Sequence, residues 1–281
     1  MDNYNSAAAA SSRAVITNFS TSFGLASKLF TQDIRQDIYN IYGLVRLADE
    51  VVDSYRGPDA AACLSDLEHE TYHSLSRNFS SNLVVHAFSQ TASRFNITEE
   101  LIRPFFKSMK IDLDPNSYSP KLYEDYIYGS AEVVGLMCLK VFTQGDDGAY
   151  ERLVPGARAL GVAFQKVNFL RDLAADYREL GRYYFPLGSF DGFDEKTKAA
   201  IISDIKKDFS TAKPAIEQLP QSARAAVGAA YRYYELLLRK LDATPAAVIK
   251  VRRMRIAPAR KLLVLAAARR PVGRRKGAER V

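Results

Sequence analysis

A chain of 281 residues can bury one large core, and nothing in its length forces a second domain. Hydrophobic residues at 47% and charged residues at 25% suit a globular protein, and no run of about 18 or more apolar residues marks a membrane-spanning helix. The net charge of +7 is uneven: from Lys250 onward twelve Lys and Arg face a single acid, Glu279, which leaves the preceding chain at −4.

The opening stretch, MDNYNSAAAASSRAV, carries an early acid and no long apolar segment, so it reads as a short polar N-terminus rather than a secretory signal. Helical periodicity then predicts helices over 13–28, 33–54, 60–78, 81–94 and 98–108, with GPD at 57–59 and DPNSYSP at 114–120 as breaks. Further helices are predicted over 121–143, 147–180, 195–218, 221–242 and 246–267, interrupted by QGDDG at 144–148 and FPLGSFDGFD at 185–194. Glycine and proline fall between these patterns, strand alternation does not persist, and there is neither an internal repeat nor a low-complexity linker. The expectation is one all-α domain over 1–281, with its core at about 15–265 and a basic, mobile tail at 269–281. Cys63 and Cys138 lie far apart in no metal-ligand spacing, which fits a reducing, cytoplasmic compartment. The cationic C-terminal stretch suits an anionic membrane surface or a polyphosphate, or is simply a solvated end. No zinc-finger spacing, RNP-like segment or basic repeat supports nucleic-acid binding.

Two predicted helices set pattern against charge. IYNIYGLVRLADEVVDSY (38–55) is apolar on nearly every side yet carries Arg46, Asp49, Glu50 and Asp53. LGVAFQKVNFLRDLAADYRELG (160–181) holds Asn168, Arg171, Asp172 and Asp176 in a similar apolar frame. Buried carboxylates are costly unless paired or bound to a cation. On an α-helix, residues four apart share a face, so Asp49 with Asp53, and Asn168 with Asp172 and Asp176, present clustered oxygen donors. Hard oxygen ligands, with only three histidines and no paired cysteines, select magnesium or manganese over zinc, and magnesium commonly completes its shell with substrate phosphate oxygens. Spacing alone proves little, because Asp33/Asp37 and Asp204/Asp208 share it and read as solvated, salt-bridged helix surface. The nearby Arg46 and Arg171 leave open a purely structural neutralisation of the other two pairs.

SFGLASKLF (22–30), IYGLVRLADEVVD (41–53), YIYGSAEVVGLMCLKVF (126–142) and LGVAFQKVNFLRDLAADYRELGRYYFP (160–186) closely resemble bacterial phytoene synthases, within the family that includes squalene and dehydrosqualene synthases. The resemblance runs from about residue 15 to 265 and implies the class I isoprenoid synthase fold, a helical bundle with a deep apolar cavity between two facing Asp-rich motifs. It implies that Asp49, Asp53, Asp172 and Asp176, with Asn168, hold magnesium on substrate diphosphates. Ser22, Tyr42, Arg46, Tyr128, Gln165 and Arg171 stand at positions similar to the family's substrate-contacting residues, and Arg253 resembles its C-terminal phosphate-binding arginine. Where the family often shows His-Ser-Lys or Gly-Ser-Lys, this chain has Phe19, Ser20 and Thr21, so a phosphate-binding lysine is missing. Glu132 replaces a small neutral residue and either faces the cavity or packs against a partner.

The resemblance further implies a prenyltransferase that joins two allylic diphosphates head to head through a cyclopropylcarbinyl diphosphate. The motif wording leans to phytoene from geranylgeranyl diphosphate without NADPH, ahead of squalene or dehydrosqualene from farnesyl diphosphate. Gly24, Ala26 and Ser27 lie where small residues leave room for a long chain. Most individual Tyr and Phe are expected in ordinary core packing, the rest in the cavity wall. Greasy substrates and products place such an enzyme peripherally at a membrane, with Arg252, Arg253, Arg255, Arg260, Lys261 and the apolar LLVLAAA as contact. Some relatives are non-catalytic assembly factors, but those tend to lose the Asp pairs present here.

Overall fold

The computed structural model describes residues 1–55, 57–113, 119–257, 259–261 and 263–264, and leaves the side chains of Thr21 and Ser22 undescribed. The predicted basic tail at 269–281 lies outside the described residues. Among those described there is no strand.

The N-terminus is helical from its second residue: α1 (Asp2–Phe19) and α2 (Thr21–Ser27) replace the expected polar start and the single helix 13–28. Alanine-rich sequence favours the helix, and small residues let it lie close on its neighbours. A Cβ added at Gly43 would stand 3.1 Å from the Ser12 hydroxyl. The break falls at Ser20, whose backbone is extended and whose hydroxyl accepts the Phe23 N–H as the N-cap of α2.

Helix α3 (Gln32–Asp49) runs directly into a π-helical stretch, Glu50–Tyr55. Then come α4 (Ala60–Arg77), α5 (Leu83–Arg94), α6 (Glu99–Asp112) and α7 (Pro120–Ile127). A second π-helical stretch, Tyr128–Glu132, joins α7 to α8 (Val133–Thr143). The 34-residue α9 (Asp147–Leu180), α10 (Glu195–Gln218) and α11 (Gln221–Asp242) follow. Three prolines sit inside helices rather than between them: Pro104 in α6, Pro155 in α9 and Pro214 in α10.

The predicted helix 246–267 is interrupted: among the described residues helical backbone is found at the short α12 (Ala246–Ile249) and again at 259–261 and 263–264, and residues 253–257 between them run without helix. Met254 and Ile256 are buried there, and the Met254 N–H donates to the Arg171 carbonyl of α9 at 3.3 Å. That contact lays the chain across α9, and Pro258 disfavours a helical Ala257.

Two apolar cores result. One gathers α3, α4, α5, α6 and α8 around Phe88, Phe105, Phe106 and Leu44; the other gathers α7, α9, α10, α11 and α12 around Phe169, Leu170, Ile205 and Leu237. Leu160 and Tyr231 touch both. The second π stretch is pressed between the two halves. A Cβ on Gly129 would meet the Pro104 carbonyl oxygen at 2.2 Å, and one on Gly161 would meet the Ala131 carbonyl oxygen at 2.7 Å. Only glycine permits that approach.

The two Asp pairs assigned to solvated, salt-bridged surface fit that expectation at the exposed Asp33 and at the salt-bridged Asp204 and Asp208, and depart from it at Asp37. Asp37 is buried, accepting from Thr91 at 2.8 Å and from Arg94 at 3.2 Å, because α5 packs directly over this turn of α3. Asp204 and Asp208 of α10 bind the buried Lys166 of α9, at 2.5 and 2.8 Å. Both pairs are explained by structural partners.

Candidate active site

A cavity of about 1350 Å³ opens between the two cores. Its inner wall is apolar, with Phe30, Phe142, Leu153, Ile216, Leu219 and Val227, while Asp49, Asp53, Asp172, Asp176, Arg46 and Arg171 also line it. The two acid motifs therefore share one chamber although about 120 residues separate them.

They are built differently. Asp172 and Asp176 lie on the uninterrupted α9, with Asn168 one turn before. Asp49 is the last residue of α3, whereas Asp53 lies within the π stretch, whose wider turn re-aims it relative to the simple i, i+4 stacking expected from spacing. Such insertions recur at functional sites.

The acids face one another electrostatically. Burial, then the neighbouring Asp53, pushes the Asp49 carboxyl up to about 8 against the pull of Arg46. Burial, then Asp172 and Asp53, pushes Asp176 up to about 8 as well. Asp53 thus acts on acids of both motifs. Among the described residues no three His, Cys, Asp or Glu side chains are arranged to hold a metal ion by themselves. Pairs of carboxylates suit magnesium that takes further oxygens from phosphates.

Cations ring the same chamber. Arg171 forks onto the Asp172 carboxylate with contacts of 2.9 and 2.6 Å, and Arg253 reaches it from the C-terminal segment at 2.6 and 3.1 Å. Arg46 pairs with Glu50, stands 3.9 Å from Asp49 and lies 4.9 Å from the centre of the Phe19 ring. Its buried Nε has no hydrogen-bond partner among the described residues. Lys240, Arg255 and Lys261 also line the cavity.

Of the other residues singled out from sequence, Tyr42 lines the cavity and stacks on Phe23 at 5.5 Å. Gln165 and Asn168 line it too, the former 3.4 Å from the Ser130 hydroxyl, the latter accepting from the Tyr234 hydroxyl at 3.1 Å. Ser22 is in α2, its side chain undescribed. Tyr128 is not brought to the cavity lining: it packs on the first core beneath the Arg158 guanidinium, 5.5 Å away. Glu132 pairs with the same Arg158 at 2.5 Å, so it packs against a partner rather than facing the cavity. Of the small residues singled out, Ala26 and Ser27 line the cavity, whereas Gly24 does not and lies against Ile16 of α1.

Sequence reasoning missed Asp112 and Arg182, both of which line the chamber. Arg182 donates to Asp53 at 2.8 Å, and burial raises the Asp112 carboxyl to about 6 against the pull of Arg182. The available signal was an arginine directly after the helix-ending Gly181, which adopts φ +69°.

The model of the squalene/phytoene synthase family matches residues 16–260. The chain belongs to the squalene/phytoene synthase family. It is 29% identical over 251 residues to phytoene synthase 2, chloroplastic, of Solanum lycopersicum, covering 82% of this chain and 79% of that protein. It is 32% identical over 176 residues to phytoene synthase 3, chloroplastic, of Zea mays, covering 61% of this chain and 41% of that protein. To the 4,4'-diapophytoene synthase of Staphylococcus haemolyticus it is 25% identical, covering 69% and 66%. The match spans less than two-thirds of the length of the maize and staphylococcal proteins. In fold it is similar to a crystal structure of a dehydrosqualene synthase in complex with ligand, with a TM-score of 0.81 at 21% identity, covering 94% of this chain and 96% of that one. In this member of the family the Phe19 ring lies against the Arg46 guanidinium.

Proposed function

We propose that this chain is a magnesium-dependent phytoene synthase, condensing two geranylgeranyl diphosphates head to head and releasing diphosphate. The observation that carries the proposal is the convergence of two acid motifs and a set of arginines on one apolar cavity. At about 1350 Å³ it exceeds the ~300–1,000 Å³ usual for one small ligand, as two prenyl chains require.

Asp49, Asp53, Asp172 and Asp176, with the Asn168 carboxamide oxygen, would hold magnesium, or manganese in its place. Bound there, the metal supplies Lewis-acid stabilisation of the diphosphate's negative charge. Arg46, Arg171 and Arg253 stabilise the charge that grows on the departing group. Loss of the first diphosphate leaves an allylic cation. The double bond of the second substrate attacks it, and proton loss closes the cyclopropylcarbinyl diphosphate. Loss of the second diphosphate, rearrangement and a second proton loss give phytoene. The apolar wall keeps water from the cations, and the Tyr234 and Phe164 rings, stacked at 4.0 Å, offer aromatic faces to passing charge. No electron donor enters this balance, so NADPH is not required.

Product masses from geranylgeranyl and farnesyl diphosphate, with and without NADPH, test the proposal. Phytoene from the longer substrate without NADPH is the expected result; turnover of the shorter alone contradicts it. The likeness to a diapophytoene synthase favours a fifteen-carbon substrate as the second reading.

We also propose peripheral membrane contact at the cavity mouth. No helix among the described residues is long and apolar enough to cross a membrane. Val251 and Leu263 are more than half exposed and lie on segments that carry Lys250, Arg252, Arg253 and Lys261. Binding to anionic vesicles that is lost at high salt is expected; salt-insensitive binding, or none, contradicts it.

A further inference from the structure

We infer that Arg182 is a positioning residue that fixes the first acid motif against the second. It belongs to neither motif, and the inference rests on the proposed magnesium-diphosphate reading of the site.

Arg182 follows the αL residue Gly181 at the end of α9, so the helix that carries Asp172 and Asp176 also delivers this guanidinium. Its own N–H donates back to the Asp176 carbonyl at 3.0 Å, which ties its backbone to the second motif. The side chain is 5% exposed and reaches across to the first motif. Nη1 donates to the Asp53 carboxylate at 2.8 Å and to the Tyr184 hydroxyl at 3.2 Å. Nη2 donates to the Val52 carbonyl at 3.2 Å and to the Asp112 carbonyl at 2.7 Å. The Asp112 carboxylate stands 3.6 Å from Nη1 and accepts from Tyr126 at 2.7 Å and Tyr184 at 3.3 Å.

One planar fork therefore grips the π stretch at Val52 and Asp53, the end of α6 and the end of α9. Backbone carbonyls account for two of its four hydrogen bonds, so more than charge is being satisfied. A lysine ammonium is a single point and cannot span these acceptors. Loosening the grip leaves the fold in place but frees Asp53 to wander from the aim that the π stretch gives it. Partners that orient ligating side chains typically carry about 10- to 100-fold in metal affinity.

The experiment compares Arg182→Gln and Arg182→Lys with wild type in the magnesium concentration for half-maximal turnover. It also measures the rise in melting temperature produced by magnesium with inorganic diphosphate. Lys166→Met serves as the control, because it breaks another buried ion pair of α9 whose partners lie on α10, away from the cavity lining. The expected result is a half-saturation raised about 10- to 100-fold in Arg182→Gln, a melting rise largely abolished, and a smaller defect of the same kind in Arg182→Lys. Lys166→Met lowers the metal-free melting temperature but keeps the wild-type magnesium dependence. Wild-type half-saturation and ligand-induced stabilisation in Arg182→Gln overturn the inference. If Arg182→Gln does not fold, Arg182→Lys decides in the same way. A wild-type protein without any magnesium-diphosphate response overturns the proposed function and this inference together, whereas a normal wild-type response with unmoved variants overturns the inference alone.

Discussion

Protonation of the acid motifs in the metal-free protein has a measurable consequence. Asp49 and Asp176 are each raised from 3.8 to about 8, first by burial and then by neighbouring carboxylates. At pH 7 a carboxyl of that pKa is about nine-tenths protonated, and at pH 9 about one-tenth. Magnesium requires ionised ligands, so binding of magnesium with inorganic diphosphate should expel about two protons from these residues at pH 7 and few at pH 9. The sign for stability follows from the same shift. The folded state binds more protons than the unfolded chain between about pH 4 and pH 8, so metal-free stability falls as pH rises through that window. The ceiling is about 1.36 kcal/mol per pKa unit. Water reaches Asp49 through the cavity, its side chain being 32% exposed, which reduces the effect to about 1–2 kcal/mol per carboxyl. Asp176→Asn resembles the protonated acid, so it should raise the metal-free melting temperature at pH 8 while halving proton release. Calorimetry at pH 7 in two buffers of different ionisation enthalpy measures the release. Binding without proton release, or a metal-free Asp176→Asn less stable than wild type at pH 8, refutes the reasoning.

Gly129→Ala should destabilise the protein by about 1–3 kcal/mol, because the added methyl meets the Pro104 carbonyl 2.2 Å away; unchanged urea unfolding contradicts this. Arg253→Gln removes one of the two cations on Asp172 and should raise the KM for the diphosphate substrate about 10-fold, as loss of a charge-assisted hydrogen bond does; a wild-type KM removes Arg253 from phosphate binding. Cys138, whose thiol burial pushes up to about 12, should resist N-ethylmaleimide at pH 8 in the folded protein and react after unfolding. Mass spectrometry of the labelled peptides checks that order.

The acid motifs were legible because carboxylates inside apolar helices violate the ordinary pattern, and the structure gathers all four in one cavity. The central helices were legible from periodicity alone. The π stretch at Asp53 was not, since its composition reads as a continuation of α3 and its hydrogen-bond partner Arg182 lies some 130 residues away. Asp112 was passed over because it stands at the end of α6 without a second acid one turn away. Helix α1 lacks the apolar stripe by which helices are read: its buried residues include Ala8 and Ser12, chosen for size rather than hydrophobicity. At the other end, Ile256 has the helix-like i, i+7 spacing from Ile249, but the segment runs without helix where the Met254 N–H bonds to the Arg171 carbonyl of α9. Asp37 shows the converse error, a buried carboxylate explained entirely by Thr91 and Arg94.

Anomalous diffraction from crystals soaked with manganese and inorganic diphosphate addresses the acid motifs most directly. Manganese peaks between Asp49 and Asp53 on one side and Asp172 and Asp176 on the other, bridged by the diphosphate, are the expected result. Diphosphate bound without manganese, or manganese only at other surfaces, contradicts it.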